Sequence, residues 1–227
     1  MIVNNIILRA CSLMQRLWNL VKIKLGGSKG TIFVFHEIDT INRNRVEPSS
    51  FCTIDKFKQL LENKRGKFCS LDNLIFSASH EGYVITFDDV PESVFLNAYP
   101  LLCENNVPFV IYLSPKFIGK KGFLSVDQIK ELANNPLCTV GAHTMNHTKL
   151  RLERDSLNDM YESKVIIERI IGREVIHLAY PYGRADSISH KVRKAAKKSG
   201  FKTATCTIPT KVPYAFDKWY IPRIAVW

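Results

Sequence analysis

With 227 residues, 46% of them hydrophobic and 23% charged, the chain can bury one substantial core, and α/β barrels of this length are commonly one domain. The net charge of +11 indicates polyanionic surroundings, such as an acidic glycan or an anionic membrane face, or simply solubility. Because no RNP-like strand, zinc-finger spacing or basic-region heptad accompanies the charge, nucleic acid is not an expected partner. The six cysteines are scattered singly, which favours a reducing, cytoplasmic compartment.

Residues 1–28 are predicted to form a basic amphipathic helix ahead of a domain over residues 29–227. Apolar residues recur in it at helical spacing, and a pair of glycines ends the pattern. Arg9 and Arg16 interrupt the apolar centre that a signal peptide needs, and no stretch is long enough to cross a bilayer. Two interpretations stay open: the helix lies on an anionic membrane, at its inner face, or it packs against the domain.

Strand and helix candidates alternate along the rest of the chain, which favours a parallel β/α architecture. The strand candidates are residues 31–35, 84–87, 107–113, 137–140, 175–179, 201–206 and 221–226. The helix candidates are residues 53–61, 70–74, 94–103, 125–133, 155–171 and 187–198. In the helix at 155–171 the residues predicted to be buried are Leu157, Met160, Val165, Ile166 and Ile170.

Polar side chains stand where several of these strands end. His36 follows the first, Asp88 and Asp89 follow the second, and His143 follows the fourth. In a β/α barrel such positions converge on one face. Two adjacent carboxylates repel each other, so burying both is costly unless a cation or a donor neutralises one. The alternative is that Asp88 caps a helix while Asp89 stays solvated.

An aspartate and two histidines from strand ends make a three-ligand set that leaves a zinc-like ion a position open for water. His143 and His147 are four residues apart, so in a helix they would share one face. An isolated pair at this spacing is usually not a metal site, but the aspartates on another strand end favour one here.

These motifs resemble those of the polysaccharide deacetylases, the NodB-homology group of carbohydrate esterases. Residues 86–89 match the family's T-F-D-D motif, residues 141–147 its second motif with both histidines, and residues 179–183 a common form of its third. The similarity covers roughly residues 31–226. The resemblance implies a distorted (β/α) barrel of about seven strands and hydrolysis of N-acetyl groups on amino sugars.

The resemblance also implies roles for single residues. It makes Asp88 the general base, and it makes Asp89, His143 and His147 the ligands of a divalent ion, with zinc the expected metal. Such an ion polarises an amide carbonyl and acidifies water, while the base takes the proton.

The third motif, by the same resemblance, has Tyr182 giving its backbone N–H to the oxyanion. Pro181 fixes its own φ and can stiffen the turn, and we expect Tyr180 and Pro181 to orient or contact the substrate. In isolation, Tyr-Pro-Tyr-Gly would be an ordinary turn.

The sequence departs from the family pattern at three points. Val90 stands where members usually have glycine, so the turn lacks a residue that adopts positive φ easily. The arginine that many members place before the third motif is absent; Arg223 is the expected substitute, with a solvent-exposed arginine as the alternative. A late Leu-x-Leu-x-His, often the general acid, is also missing, so His36 is the expected proton donor, unless Asp88 returns the proton that it took.

We therefore expect a metal-dependent N-deacetylase that acts on an N-acetylated amino-sugar glycan or a lipid-linked sugar. One alternative is a non-catalytic sugar-binding relative that keeps the metal. A second is a hydrolase of small C–N substrates such as cyclic amides, a chemistry that the family also hosts.

Overall fold

The computed structural model describes residues 2–39, 51–78 and 81–227, with side chains from residue 10 onward. The helices are α1 (Ile2–Gly26), α2 (Ile54–Asn63), α3 (Leu71–Phe76), α4 (Tyr99–Glu104), α5 (Val126–Asn134), α6 (Ser156–Ile171) and α7 (His190–Lys198). The strands are β1 (Ser28–Phe35), β2 (Glu37–Asp39), β3 (Phe51–Thr53), β4 (Gly82–Asp88), β5 (Phe109–Leu113), β6 (Cys138–Ala142), β7 (His177–Ala179), β8 (Thr203–Thr205), β9 (Val212–Pro213) and β10 (Ile224–Ala225). A π-helical turn (Val94–Ala98) leads into α4, and a 3-10 turn (Pro115–Phe117) follows β5.

Seven parallel strands form a curled sheet in the order β10-β1-β4-β5-β6-β7-β8, and β9 pairs with β1 in the antiparallel sense. An isolated parallel bridge joins Thr205 to Ile221, so the segment that leads into β10 also contacts the opposite end of the sheet. This segment links the two edges, and the expected distorted barrel of about seven strands is confirmed.

The strands are buried on both faces, as expected where helices cover a parallel sheet. In β5, Phe109, Ile111 and Leu113 pack in one apolar cluster with residues from the surrounding helices. Val110 and Tyr112 alternate with them and belong to a second cluster inside the barrel. This two-sided burial holds the carboxyl ends of the strands rigidly in one layer.

Helix ends follow the sequence signals closely. Thr53 accepts a hydrogen bond from the Lys56 backbone N–H, and Ser125 and Gln128 form a reciprocal capping box ahead of α5. Gly172 ends α6 in the left-handed conformation at φ 69°. The predicted helix at residues 187–198 begins later than expected, because Ser189 is its N-cap.

The burial prediction for α6 was wrong at one position. Leu157 is 40% exposed, whereas Met160 and Ile167 are fully buried. Leu157 lies roughly 60° around the helix from Met160, at the edge of the buried arc and in the first turn. Val165, Ile166 and Ile170 are partly buried.

Gly30 is the tightest point between β1 and β4, and it gives the first prediction. A Cβ at Gly30, whose φ is 144°, would lie 1.9 Å from the backbone oxygen of Gly82. Gly30→Ala should therefore lower the free energy of unfolding by about 3 kcal/mol. Guanidinium unfolding monitored by circular dichroism measures it. Gly26→Ala, where a Cβ meets nothing within 4 Å, is the matched control, and equal midpoints for the two variants would contradict the prediction.

Candidate active site

The residues singled out in the sequence converge at the carboxyl ends of the strands. Asp88 is the last residue of β4, His36 follows β1, and His143 follows β6. Together with His147 and Tyr182 they line a cavity of about 180 Å³. The parallel arrangement of the strands thus brings separate motifs to one place.

Asp89, His143 and His147 offer one ligand atom each, and these atoms lie within 4.8 Å of one another. His147 Nε2 is 3.2 Å and His143 Nε2 is 3.8 Å from Asp89 Oδ1. His143 Nδ1 lies 2.8 Å from the Ala179 carbonyl oxygen, so this nitrogen is the one that carries the proton and Nε2 is free to be a ligand. Two nitrogens and one oxygen fit zinc or a similar divalent ion.

Both imidazoles are neutral near pH 7, which is the form that binds metals. Burial lowers the pKa of His143, and burial together with the neighbouring His143 ring lowers the pKa of His147 to about 3. The site is therefore a set of uncharged nitrogen donors beside carboxylates.

Left-handed backbone builds the two turns that carry the candidate ligands Asp89, His143 and His147. Thr144 and His147 have φ of 64° and 51° in a non-helical loop, so the premise of a shared helix face was wrong. The turns nevertheless place the ring centroids of His143 and His147 5.1 Å apart. After β4, Asp89 and Val90 have φ of 59° and 47°.

Val90 adopts positive φ without being a glycine, so the turn uses a conformation that this residue does not take easily, in agreement with the sequence analysis. For a β-branched residue this conformation costs about 1–3 kcal/mol and persists only where the surroundings impose it. Here the side chain is 1% exposed in the core, and the Val90 N–H donates to the Asp88 carbonyl at 2.6 Å. Packing and this hydrogen bond hold the turn, which keeps Asp89 facing the histidines.

The Asp88 carboxylate is hydrogen-bonded to Arg223, and it is neither solvated nor the cap of a helix. The guanidinium is fully buried and donates from Nη1 to Asp88 Oδ1 at 2.8 Å and from Nη2 to Oδ2 at 2.6 Å. It also donates to Thr86 Oγ1 at 3.0 Å and to the Cys206 carbonyl at 3.3 Å. Asp88 and Asp89 are 2% and 4% exposed, so neither a solvated Asp89 nor an exposed arginine describes the site.

The electrostatic effect of this pair is large. Burial by itself would raise the pKa of Asp88, but the charge and hydrogen bonds of Arg223, together with the neighbouring His143 and His36, hold that pKa well below its usual range. Asp88 is therefore a carboxylate at neutral pH although it is buried. Its Oδ2 lies 3.9 Å from His143 Nε2, beside the ligand set.

His36 contributes a buried nitrogen. Its Nδ1 has no hydrogen-bond partner within the described part of the chain. Burial lowers the pKa of His36 to about 4, so the ring is neutral at pH 7.

The third motif divides into exposed and buried parts. Tyr182 has φ 63° and is 40% exposed, and its ring lies 5.1 Å from that of His147. Tyr180 is fully buried, and its hydroxyl donates to the Trp219 carbonyl at 2.9 Å. Tyr180 and Pro181 were expected either to contact the substrate or to orient the site. Both are buried, so the side chain of Tyr180 can orient the site but does not reach a substrate.

Several cavity residues were missed by the sequence analysis. Lys149 and Asp186 lie 3.4 Å apart at its rim, and Arg184, Thr207 and Trp227 also line it. They come from loops without a recognisable motif, so only the folded chain brings them together.

A curled β/α sheet with a carboxylate and an aspartate–histidine–histidine set at its strand ends has the layout of a metal-assisted hydrolase. The family model of the polysaccharide deacetylases matches residues 78–204, and the chain belongs to that family. It is 26% identical over 189 residues to YxkH of Bacillus subtilis, named as a polysaccharide deacetylase, covering 80% of this chain and 66% of YxkH.

A second relative is the poly-β-1,6-N-acetyl-D-glucosamine N-deacetylase of Staphylococcus aureus, 26% identical over 78% of this chain and 61% of that protein. The chain thus spans less than two-thirds of the length of these two relatives. Among solved structures, the deacetylase PplD of Streptococcus pyogenes, in complex with acetate, superimposes with a TM-score of 0.76 at 21% identity, covering 86% of this chain and 91% of PplD. That likeness supports the fold.

The buried pair gives the second prediction. Arg223→Met should destabilise the metal-free protein by about 3 kcal/mol or more, because it leaves Asp88 buried without its counter-charge. The double variant Asp88→Asn, Arg223→Met should recover part of that loss, since the uncompensated charge is gone. Urea unfolding of the wild type, both single variants and the double variant measures the coupling. Additive losses would mean that the pair is not a unit.

Proposed function

We propose that the chain hydrolyses the N-acetyl group of an amino sugar with the help of a divalent ion, most simply zinc, held by Asp89, His143 and His147. The observation that carries the proposal is a buried, ionised Asp88 fixed by Arg223 beside an open three-ligand set. Family membership and the activity named for the Staphylococcus aureus relative support a sugar amide as substrate.

When bound, the ion supplies Lewis acidity that polarises the acyl carbonyl and eases deprotonation of water. Asp88 takes that proton, and Arg223 keeps both of its oxygens in one orientation and in the charged form. The Tyr182 backbone N–H donates to no acceptor among the described residues, so it is free to stabilise the developing oxyanion.

The leaving amine needs a proton, and the burial of His36 supports a donor other than this histidine. The interpretation of His36 as donor assumed an ordinary imidazole pKa, but burial lowers it to about 4. His36 enters the reaction neutral, so we assign the return of the proton to Asp88. His36 then lines the cavity as a neutral ring that positions the substrate and donates no proton.

The two alternatives from the sequence are treated differently by the site. A non-catalytic sugar-binding relative would have no use for a buried carboxylate and the arginine that keeps it charged. Acetate release from N-acetylhexosamine oligomers, compared with ring opening of cyclic amides, separates the sugar hydrolase from one acting on small C–N substrates.

Removing single groups should separate metal binding from proton transfer, which is the third prediction. His147→Ala should lose the ion by elemental analysis, whereas Asp88→Asn should keep it while acetate release falls by about a hundredfold or more. His190→Ala, an exposed histidine on α7, is the matched control and should change neither. A stoichiometric ion in His147→Ala would refute the ligand set, and an ion lost from Asp88→Asn would mean that the aspartates have exchanged roles.

The N-terminal helix is oriented in an unusual way. Its polar face meets the barrel: Asn19 is 5% exposed and donates to Thr210 Oγ1 at 3.3 Å, and Lys22 Nζ donates to the Ala215 carbonyl at 2.8 Å. Its apolar face points outward. Of the sixteen exposed large hydrophobic side chains in the described part, seven lie on α1: Leu13, Met14, Leu17, Trp18, Leu20, Val21 and Leu25.

We propose that this outward face of α1 rests on an anionic membrane surface. The helix does pack against the domain, as one interpretation held, but with its polar face, so its apolar stripe is left for another surface. Arg16 and Lys24 supply charge for lipid head groups, whereas Lys22 is held at the Ala215 carbonyl and the side chain of Arg9 lies outside the described residues. Within the described ranges the structure contains no helix that combines the length and apolar character needed to span a bilayer.

Vesicle flotation tests this contact, as the fourth prediction. Leu17→Gln combined with Val21→Gln should weaken binding to phosphatidylglycerol vesicles by about tenfold or more, because two outward apolar side chains are lost without touching the polar face. Leu157→Gln, an exposed leucine on α6, is the control. Equal flotation of all three proteins would exclude α1 as the contact.

A further inference from the structure

A second cavity, of about 730 Å³, lies between α1 and the mouth of the barrel. Ser12, Leu13 and Arg16 form its helical wall. We call the cavity of about 180 Å³ around Asp88, His143 and His147 the catalytic cavity. The second cavity shares five lining residues with it: Arg184, Asp186, Thr207, Ala225 and Trp227. The two cavities are therefore neighbouring parts of one groove. The helix α1 lies outside residues 78–204, which the family model matches.

The charge of this cavity suits an anion. Arg16 and Arg184 both line it, and no carboxylate lies within 4.0 Å of either guanidinium within the described ranges. The carboxylate of Asp186, also in the lining, is 3.4 Å from Lys149 Nζ and is thus already neutralised. Two guanidinium groups without a counter-charge are the side chains that best bind phosphate.

The remainder of the wall is largely apolar. Leu13, Ile208, Pro209 and Trp227 contribute hydrocarbon or ring surface. Leu13 is 55% exposed and also belongs to the outward apolar face of α1, so apolar surface continues from the cavity onto that face. A neutral, hydroxyl-rich sugar chain would leave both the arginines and this apolar wall unsatisfied.

We propose that this cavity binds the phosphate and the first carbons of the alkyl chain of a phosphate-linked, amphiphilic amino sugar, while the N-acetylated sugar occupies the catalytic cavity. The inference rests on the proposed function and narrows its substrate class. Arg16 and Arg184 hold the phosphate, and the alkyl chain leaves across Leu13 toward the apolar face of α1. The reacting sugar and the membrane contact are then joined by one continuous groove.

The test compares three acetylated substrates with the full chain: N-acetylglucosaminyl decyl phosphate, UDP-N-acetylglucosamine and a neutral N-acetylglucosamine oligomer. We expect the decyl phosphate to have the highest kcat/KM. Arg16→Gln should raise its KM by about tenfold or more with little change in kcat, because Arg16 contacts a group remote from the reacting amide. Arg169→Gln, which removes the same charge from α6, is the matched control and should behave as wild type.

Decyl phosphate itself, titrated calorimetrically, reports on the cavity without any turnover. Binding to the wild type that weakens about tenfold in Arg16→Gln supports the cavity even if no sugar is deacetylated, in which case the proposed function alone fails. The inference is overturned if decyl phosphate does not bind, if the neutral oligomer is the best substrate, or if the UDP sugar matches the decyl phosphate in rate and in sensitivity to Arg16→Gln.

Discussion

The buried ion pair between Asp88 and Arg223 is the interaction on which the site depends. Burial makes a carboxylate reluctant to ionise, yet the proposed base must be ionised to accept a proton. Arg223 resolves the conflict with two hydrogen bonds to the two carboxylate oxygens. Arg223 lies between Ile221, which forms a bridge to β8, and Ile224, which pairs with β1. The residue that keeps the proposed base ionised is therefore part of the segment that joins the two edges of the sheet. The contacts that close the barrel thus also place the arginine that keeps Asp88 ionised.

Much of the fold followed from the sequence because its signals are local. Apolar runs marked the strands, and cap residues such as Ser125 and Gly172 marked the helix ends. The convergence of Asp89, His143 and His147 was also predictable, since strand ends in a parallel sheet meet at one face. The family resemblance also indicated Arg223 as the substitute for the missing arginine, but not its two hydrogen bonds to Asp88, which lies 135 positions away, and Val90 takes a conformation that its own preference opposes. Such features are decided by tertiary packing rather than by neighbours in the chain.

The orientation of α1 shows a different limit. Periodicity established that the helix has an apolar side, but it cannot say what that side faces. The answer comes from polar contacts of Asn19 and Lys22, which hold the opposite face against the barrel. Because these contacts fix α1, its exposed hydrophobic residues can meet another surface without the helix having to unfold or rotate. The same arrangement makes one edge of α1 a wall of the groove next to the catalytic cavity.

The pairing of β1 with β10 also bears on how the protein reaches its active form. Phe33 and Ile224 are neighbours in the sheet although nearly the whole described chain separates them in sequence. Contacts of such separation carry the largest loop-closure entropy and form late in folding. On a ribosome, β1 and β4 can pair long before the segment carrying Arg223 has been synthesised. The nascent chain therefore holds Asp88 without its arginine until the segment that carries Arg223 has been synthesised, and the proposed base gains its counter-charge only when β10 pairs with β1.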